Sequence, residues 1–448
     1  MAITLEELLN RLRENRRYAA LRDIFTAMNE ADIGALFDEL PETDLPVMFR
    51  LLPKDLASGV FAHMESDSQE LLIKGFSDSE LKEVLDELYV DDTADLIEEM
   101  PANVVKRILA NTDPEIRTVI NEILNYPEDS AGSLMTIEYI SLRPKMNVSE
   151  AIKRIQRTIT DTETIYTCYV TDDNRHLLGY ISLRTLLLAK PDSLIKDIME
   201  DTVICVNTTD DKEDVAKKMS YYSFVSMPVV DAENRLVGIV TFDDAIDVMQ
   251  DETTEDIKMM AAIAPNEESY LRTSDFKHAK SRIVWLLILM LSAAITGGII
   301  SGYEASFSNM PILVSFIPML MGTGGNCGSQ SSTLVIRGMA IDEIRPGDFF
   351  KVVWMEFRVS LLLSCALAMI NGLRILLMYH DTMLSLVVSL SIIGIVIMSE
   401  MIGCILPMLA KRLHCDPAVM AAPLITTIVD ACSILIYFNI ACRFMGLG

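Results

Sequence analysis

The chain is poor in the residues that build soft-metal and redox sites. It has five histidines, each isolated, and two tryptophans. Its eight cysteines never fall at CxxC spacing or in closely spaced pairs, which argues against a structural zinc site and a disulfide framework. Six of the eight follow Ser281, mostly inside apolar runs, where cysteine packs as a small hydrophobe. No GxxxxGK[ST] loop and no HExxH occurs, so the sequence offers neither a phosphate-cradling ATPase loop nor a helical zinc-protease site. No secretory signal is expected, because Met1–Asn15 alternates Leu with Glu and Arg and has no apolar core. Basic residues are scarce: Lys and Arg number 38 against 64 Asp and Glu, a net charge of −26.

That deficit sits at one end. The chain up to Ser281 holds 55 acids and 29 bases, whereas the rest holds nine of each. An acidic body attracts cations and repels nucleic acid and anionic headgroups, so no nucleic-acid partner is expected. The balanced end contains five apolar segments, roughly Ile283–Gly302, Pro311–Ile336, Val352–Met378, Met383–Ala410 and Pro417–Ile440. Each approaches or exceeds the ~20 residues that span a bilayer. Lys277, Lys280 and Arg282 precede the first segment. Arg337, Arg345 and Lys351 join the second to the third, and Lys411 with Arg412 join the fourth to the fifth. The loops around Glu304 and Asp381 have no Lys or Arg. This bias predicts a cytoplasmic amino-terminal body and an external carboxyl terminus in the cell (inner) membrane, with Arg443 as the exception.

Residues 1–130 read as short amphipathic helices punctuated by Pro41, Pro46, Pro53 and Pro101, and Leu36–Pro41 is echoed by Ile97–Pro101. Short helices in series suggest a helical superhelix, with a plain bundle as the alternative. A mixed α/β unit then occurs twice. A helix at Val148–Ile159 leads to strands Tyr166–Val170 and Leu178–Ser182 around the turn Asp172-Asp173-Asn174. A helix at Lys212–Ser220 leads to strands Ser226–Val230 and Val237–Thr241 around Asp231–Asn234. Gly179 and Gly238 take equivalent places, as do Met135 and Met199. This duplication closely resembles a tandem pair of CBS domains. In that family a Thr-x-x-Asp after the last strand often holds adenosine ribose. Thr241-Phe242-Asp243-Asp244 matches it, while Ser182-Leu183-Arg184-Thr185 lacks the acid. The resemblance implies ATP or another adenine nucleotide at the pair, or a regulatory pair without one.

The acids nearest the apolar end are Asp243, Asp244, Asp247, Asp251, Glu252, Glu255 and Asp256. Spacings of three and four put like charges on common helix faces, which destabilises a helix unless something neutralises them. Asp91, Asp92 and Asp95 form a second cluster, and Glu213 on the second CBS helix is grouped with them. Many carboxylate oxygens without soft ligands suit Mg²⁺ or Ca²⁺. The bland alternative is a solvated acidic face.

Ionisable residues within apolar spans are costly and are read first as functional. Asp430 lies near the middle of the fifth segment with no basic neighbour, so a mobile cation would serve as its partner. Glu400 lies within the fourth and Glu356 near the cytoplasmic end of the third, where Arg358 or Arg374 offers pairing. Substitution of Glu400 is expected to disturb folding more than selectivity. The second segment carries Gly322-Thr323-Gly324-Gly325-Asn326-Cys327-Gly328-Ser329-Gln330. Its glycines alone would suit close helix packing, but Asn326 and Gln330 favour a polar lining.

Tyr126–Met135, Gly325–Gln330 followed by Ile336-Arg337, and Asp416-Pro417-Ala418 through Pro423-Leu424 to Asp430 resemble the MgtE family of magnesium transporters. The resemblance covers nearly the whole chain in order. It implies a multidomain fold of α, α/β and membrane α parts: a helical regulatory domain at 1–130, CBS domains at 131–198 and 199–250, an acidic connecting helix at 251–280 and a five-helix transmembrane domain at 281–448. It further implies a homodimer with its pore on the two-fold axis, lined by the second and fifth spans. Asp430 would select Mg²⁺, with Gly325, Asn326, Gln330, Asp416, Pro423 and Thr426 nearby, although Ala421-Ala422 is less polar than a pore lining would suggest. The expected function is downhill entry of hydrated Mg²⁺, closed by cytoplasmic Mg²⁺ on the acidic clusters. Rival readings are a Mg²⁺ sensor that conducts nothing, a Co²⁺ or Mn²⁺ transporter, an anion channel and a membrane-embedded protease. An Asp on the pore axis opposes the anion channel. The absence of an intramembrane His beside Ser329 and Ser331 opposes the protease.

Overall fold

Ten short helices between Leu5 and Ile123 build the amino-terminal region by a repeating rule. The helices Glu30–Asp38, Lys54–Ala62, Asp78–Leu85 and Ala102–Asn111 begin 24 residues apart, and each packs on the next in that series. The helices between them pair likewise, Leu45–Phe49 with Ser66–Gly75 and Val90–Glu99 with Pro114–Ile123. Packing onto the second neighbour is the signature of a superhelix rather than a closed bundle. Starts are set locally: Pro46 and Pro114 occupy first turns, and Ser77 with Glu80 forms a reciprocal capping box. Phe25, Phe37, Phe61, Leu72, Leu81 and Ile108 fill the core, with the Phe25 and Phe37 rings 5.3 Å apart edge to face.

The computed structural model describes residues 5–159, 162–264, 270, 273–303, 310–413, 415–420 and 422–446. It divides into two units, residues 1–250 and 251–448. The loop around Glu304 and the residue Ala421 lie outside the described residues.

The duplicated segment forms two three-stranded mixed sheets of the same order. In the first, β1 (Ser141–Leu142) runs parallel to β2 (Thr167–Thr171), which pairs antiparallel with β3 (Leu177–Ser182). In the second, β4 (Val206–Asn207), β5 (Ser226–Val230) and β6 (Leu236–Thr241) repeat that arrangement. Both hairpin turns are drawn by an aspartate. Asp172 Oδ1 accepts from Asn174 N and His176 N, and Asp231 Oδ1 accepts from Glu233 N and Arg235 N, at 2.7–3.0 Å. The matched glycines have a shared cause. A Cβ at Gly179 would fall 2.6 Å from the Glu200 carbonyl and 3.0 Å from Met199 Sδ. One at Gly238 would fall 2.7 Å from both the Thr136 carbonyl and Met135 Sδ. Each CBS unit thus takes the other unit's entry segment onto its last strand at a glycine.

One helix, Phe242–Met260, continues from β6 through the whole acidic run. Five long helices follow: Asp275–Gly302, Ile317–Ala340, Phe349–Tyr379, Thr382–Arg412 and Ala422–Met445. Among the described residues four meet the length and apolarity for crossing a membrane. The exception is the second, Ile317–Ala340, against the expectation of five equivalent spans. Its 24 residues reach about 36 Å, but Gly, Thr, Asn, Ser and Gln in its middle lower its apolarity. It nevertheless packs against the fourth and fifth helices, while the third packs on the fourth. The first and third present Leu291, Ile295, Trp354, Leu362 and Ile370 outward, as lipid-facing helices do.

Candidate cation sites

In the first unit the Val90–Glu99 helix brings Asp91, Asp92 and Asp95 to one place, and Phe242–Met260 begins with Asp243 and Asp244. Carboxylate oxygens of Asp91, Asp244 and Glu163 lie within 4.8 Å of one another. Glu163 carried no sequence signal: it lies in a Thr-rich stretch after the first CBS helix, outside either acidic run, and was brought in by the fold alone. Asp91 is only 8 % exposed, and Asp91 Oδ1 and Glu163 Oε2 have no hydrogen-bond partner. Asp244 is held by Thr241, whose hydroxyl and backbone N–H both donate to it.

Convergence without a cation makes these acids reluctant to ionise. Burial, then Glu163, Asp92 and Asp244, push Asp91 well above the carboxylate range. Burial and the charges of Asp244 and Asp243 raise Glu163 to about 8. Burial and Asp244 raise Asp95 to about 7, and burial raises Asp244 to about 6 against the opposing Thr241 bond. Asp92 is raised by burial and eased by His63. A divalent cation would remove the cause of all these shifts, and the donor set of hard carboxylate oxygens with unsatisfied valence fits Mg²⁺ or Ca²⁺. A cleft of about 270 Å³ beside it is lined by Glu65, Ser66, Gln69, Asp92, Asp95 and Glu99.

The remaining candidate acids have other surroundings. Glu213 is taken up by Lys217 at 2.6 Å, and Asp243 and Asp247 are exposed along their helix. Asp251, Glu252, Glu255 and Asp256 continue the same helix in the second unit.

In the second unit Gly324, Gly325 and Gly328 of the second membrane helix face inward. A Cβ at Gly325 would meet Thr426 Cγ2 at 3.2 Å, and one at Gly328 would meet the Ser399 carbonyl at 3.2 Å. These glycines set close packing, whereas Gly322, Asn326 and Gln330 form the exposed stripe of the same helix, one turn apart. On the fifth helix Asp430 is half-buried and makes no ion pair or hydrogen bond with a described residue. Thr426 and Thr427 both donate to the Pro423 carbonyl at 2.9 Å. Asp416 is exposed and accepts from Ala418 N at 2.7 Å, fixing the turn before that helix. The pairing offered to Glu356 by Arg358 or Arg374 does not form. Arg374 turns to Asn371 Oδ1 at 3.0 Å, and Glu356 takes Ser331 Oγ at 2.9 Å.

Comparison with known proteins agrees with this order of parts. Family profiles match residues 28–129 as the MgtE intracellular N domain, 131–192 and 195–251 as CBS domains, and 317–440 as MgtE, divalent cation transporter. The magnesium transporter MgtE of Thermus thermophilus is 37 % identical over 445 residues, 98 % of each chain. That of Enterococcus faecalis is 33 % identical over 96 % of this chain and 95 % of its own. The crystal structure of the cytosolic domain of the Mg²⁺ channel MgtE in complex with ATP matches at a TM-score of 0.52 and 38 % identity. It covers 55 % of this chain and 100 % of that one. Identity at this level, sustained from the helical repeats through the CBS pair to the membrane helices, has one reading: the chain belongs to the MgtE family of magnesium transporters.

Proposed function

We propose that the protein is a homodimeric Mg²⁺ channel that admits hydrated Mg²⁺ to the cytoplasm and is closed by cytoplasmic Mg²⁺. The supporting observation is the stripe of Gly322, Asn326 and Gln330, exposed on a membrane helix that packs against the helix of Asp430, whose carboxylate has no partner among the described residues. Such groups are tolerated in a bilayer only where water or another copy covers them. Mg²⁺ keeps its waters, so the amides of Asn326 and Gln330 and the Asp430 carboxylate would hold the water shell rather than the bare ion. Pro423, Thr426, Gly325 and Asp416 shape that path. An inside-negative potential drives entry, contributing about 2.3 kcal/mol per charge per 100 mV, doubled for a divalent ion.

The brake is the acidic body. Mg²⁺ on Asp91, Glu163 and Asp244, with further ions on Asp92, Asp95, Asp243, Asp247, Asp251, Glu252, Glu255 and Asp256, would stiffen the helix that leads to the membrane. The division of labour follows 1–130, 131–198, 199–250, 251–280 and 281–448. A relative's cytosolic domain holds ATP, which supports an adenine nucleotide at this CBS pair, with Thr241 and Asp244 toward its ribose. Vesicles loaded with a Mg²⁺ indicator test the reading. Purified protein should pass Mg²⁺ inward, and Asp430→Asn should fold, dimerise and lose at least about tenfold of the flux. No flux from the unaltered protein would leave a sensor, and normal flux from the variant would remove Asp430 from the path.

A further inference from the structure

The third membrane helix, Phe349–Tyr379, turns outward a basic and aromatic strip that the proposed path does not use. Lys351, Trp354 and Arg358 follow one another at spacings of three and four, so they share one helix face. The Lys351 side chain is 85 % exposed, and its ion-pair contact, Asp348 Oδ1, is at 4.0 Å. Trp354 is 60 % exposed and stacks on Phe357 with ring centroids 5.7 Å apart. Arg358 is exposed and makes no ion pair or hydrogen bond with a described residue. Glu356, two residues before it, turns inward to Ser331. Past Arg358 the outward side is apolar, with Leu361 and Leu362 exposed.

The helix has 31 residues and reaches about 46 Å, against a hydrocarbon core of about 30 Å. With the excess shared between its ends, Lys351 stands in the headgroup layer and Arg358 about 5 Å inside the hydrocarbon. Helical side chains lean toward the N-terminus, so Arg358 leans back toward Lys351 and the headgroups. An outward guanidinium at that depth calls for an anion. A second copy has little to offer it. Of the acids within the long helices, Glu356 and Glu400 are buried, and Asp430 is half-buried on the fifth helix.

We propose that Lys351, Trp354 and Arg358 form a binding site for an anionic phospholipid, its headgroup phosphate held between the two cations and its chains lying along Leu361 and Leu362. The Trp354 ring sits at the boundary between headgroup and hydrocarbon. Zwitterionic lipids carry the same phosphate but add a cation that two basic side chains repel, so the site selects net-negative headgroups.

Fluorescence quenching by brominated lipids tests this on the full chain in phosphatidylcholine vesicles. The chain has two tryptophans, so a Trp285→Phe background leaves Trp354 as the sole reporter. Mole for mole, brominated phosphatidylglycerol should associate with Trp354 at least about tenfold more strongly than brominated phosphatidylcholine. Arg358→Gln and Lys351→Gln should each lower that preference about fivefold, and Arg358→Lys should hold it within about twofold of the parent. Inorganic phosphate in the buffer should not relieve the quenching. Equal quenching by the two lipids, or a preference that both Gln substitutions leave unchanged, would overturn the proposal. Weak quenching by both lipids would show the face covered by a second copy, and relief by phosphate would show a site for a soluble anion; either result overturns it. The comparison of the two lipids needs no substitution at the site, so a Gln variant that fails to insert leaves the test standing. None of these readouts depends on Mg²⁺ flux.

Discussion

Replacing Glu163 by Gln should stabilise the cation-free first unit and weaken its response to Mg²⁺. In the folded protein Glu163 stands at about 8 against an ordinary value of 4.5. That difference corresponds to roughly 4 to 5 kcal/mol against its charged form. Asp91 and Asp244 share the penalty, so it belongs to the cluster, and neutralising Glu163 relieves only part of it, on the order of 2 kcal/mol. The sign follows from proton linkage: the folded state holds a proton that the unfolded chain has already released. Stability is therefore intact below the unfolded value and falls as pH rises through about 8. Gln is uncharged throughout, so the variant should match the parent near pH 5 and exceed it by about 2 kcal/mol at pH 8.5. With Mg²⁺ the order reverses. The ion takes over the role of the proton in the parent, and the variant has lost a ligand, so its Mg²⁺ midpoint should rise roughly tenfold, ~1.4 kcal/mol. Hydrogen exchange read by mass spectrometry on the full chain, over Val90–Glu99 and Phe242–Gln250, reports both quantities. A variant less protected than the parent at pH 8.5 without cation, or an unchanged Mg²⁺ midpoint, would refute the convergence of these acids on a cation.

Two other outcomes follow from the same structure. Neutralising Asp244, Asp247, Glu252, Glu255 and Asp256 together should leave conduction intact while raising the Mg²⁺ needed for closure and reducing Mg²⁺ protection of the linker against protease. Closure at the parent's Mg²⁺ concentration would make the run a solvated face. Gly238→Ala should destabilise the CBS pair by about 1–3 kcal/mol, because the new methyl meets the fixed Thr136 carbonyl at 2.7 Å as well as a movable methionine. Thermal unfolding followed by circular dichroism reads that loss.

Much of the fold was legible because it rests on local rules. Turn aspartates and the repeated glycine placed the helices and hairpin strands of the duplicated unit within a residue or two, and proline punctuation exposed the serial helices. The 24-residue stacking that decides superhelix over bundle was not legible, since packing on a second neighbour leaves no mark on any single helix. The second membrane helix shows the same limit. Its sequence offered close packing and polar lining as rivals, and the structure uses both, with Gly324, Gly325 and Gly328 inward and Gly322, Asn326 and Gln330 outward.

The sequence by itself determined the separation of an acidic body from a neutral apolar domain, the duplicated CBS units, the unpaired Asp430 and two of the three acids in the convergent cluster. Those depend on composition and short-range spacing, which a linear chain records. Tertiary structure alone decided that Glu163 joins Asp91 and Asp244, and that Glu356 turns from its neighbouring arginines to Ser331. These meetings join side chains tens of residues or more apart in the chain. Charge and burial at such a point depend on which helices pack together, and spacing along the sequence holds no term for that.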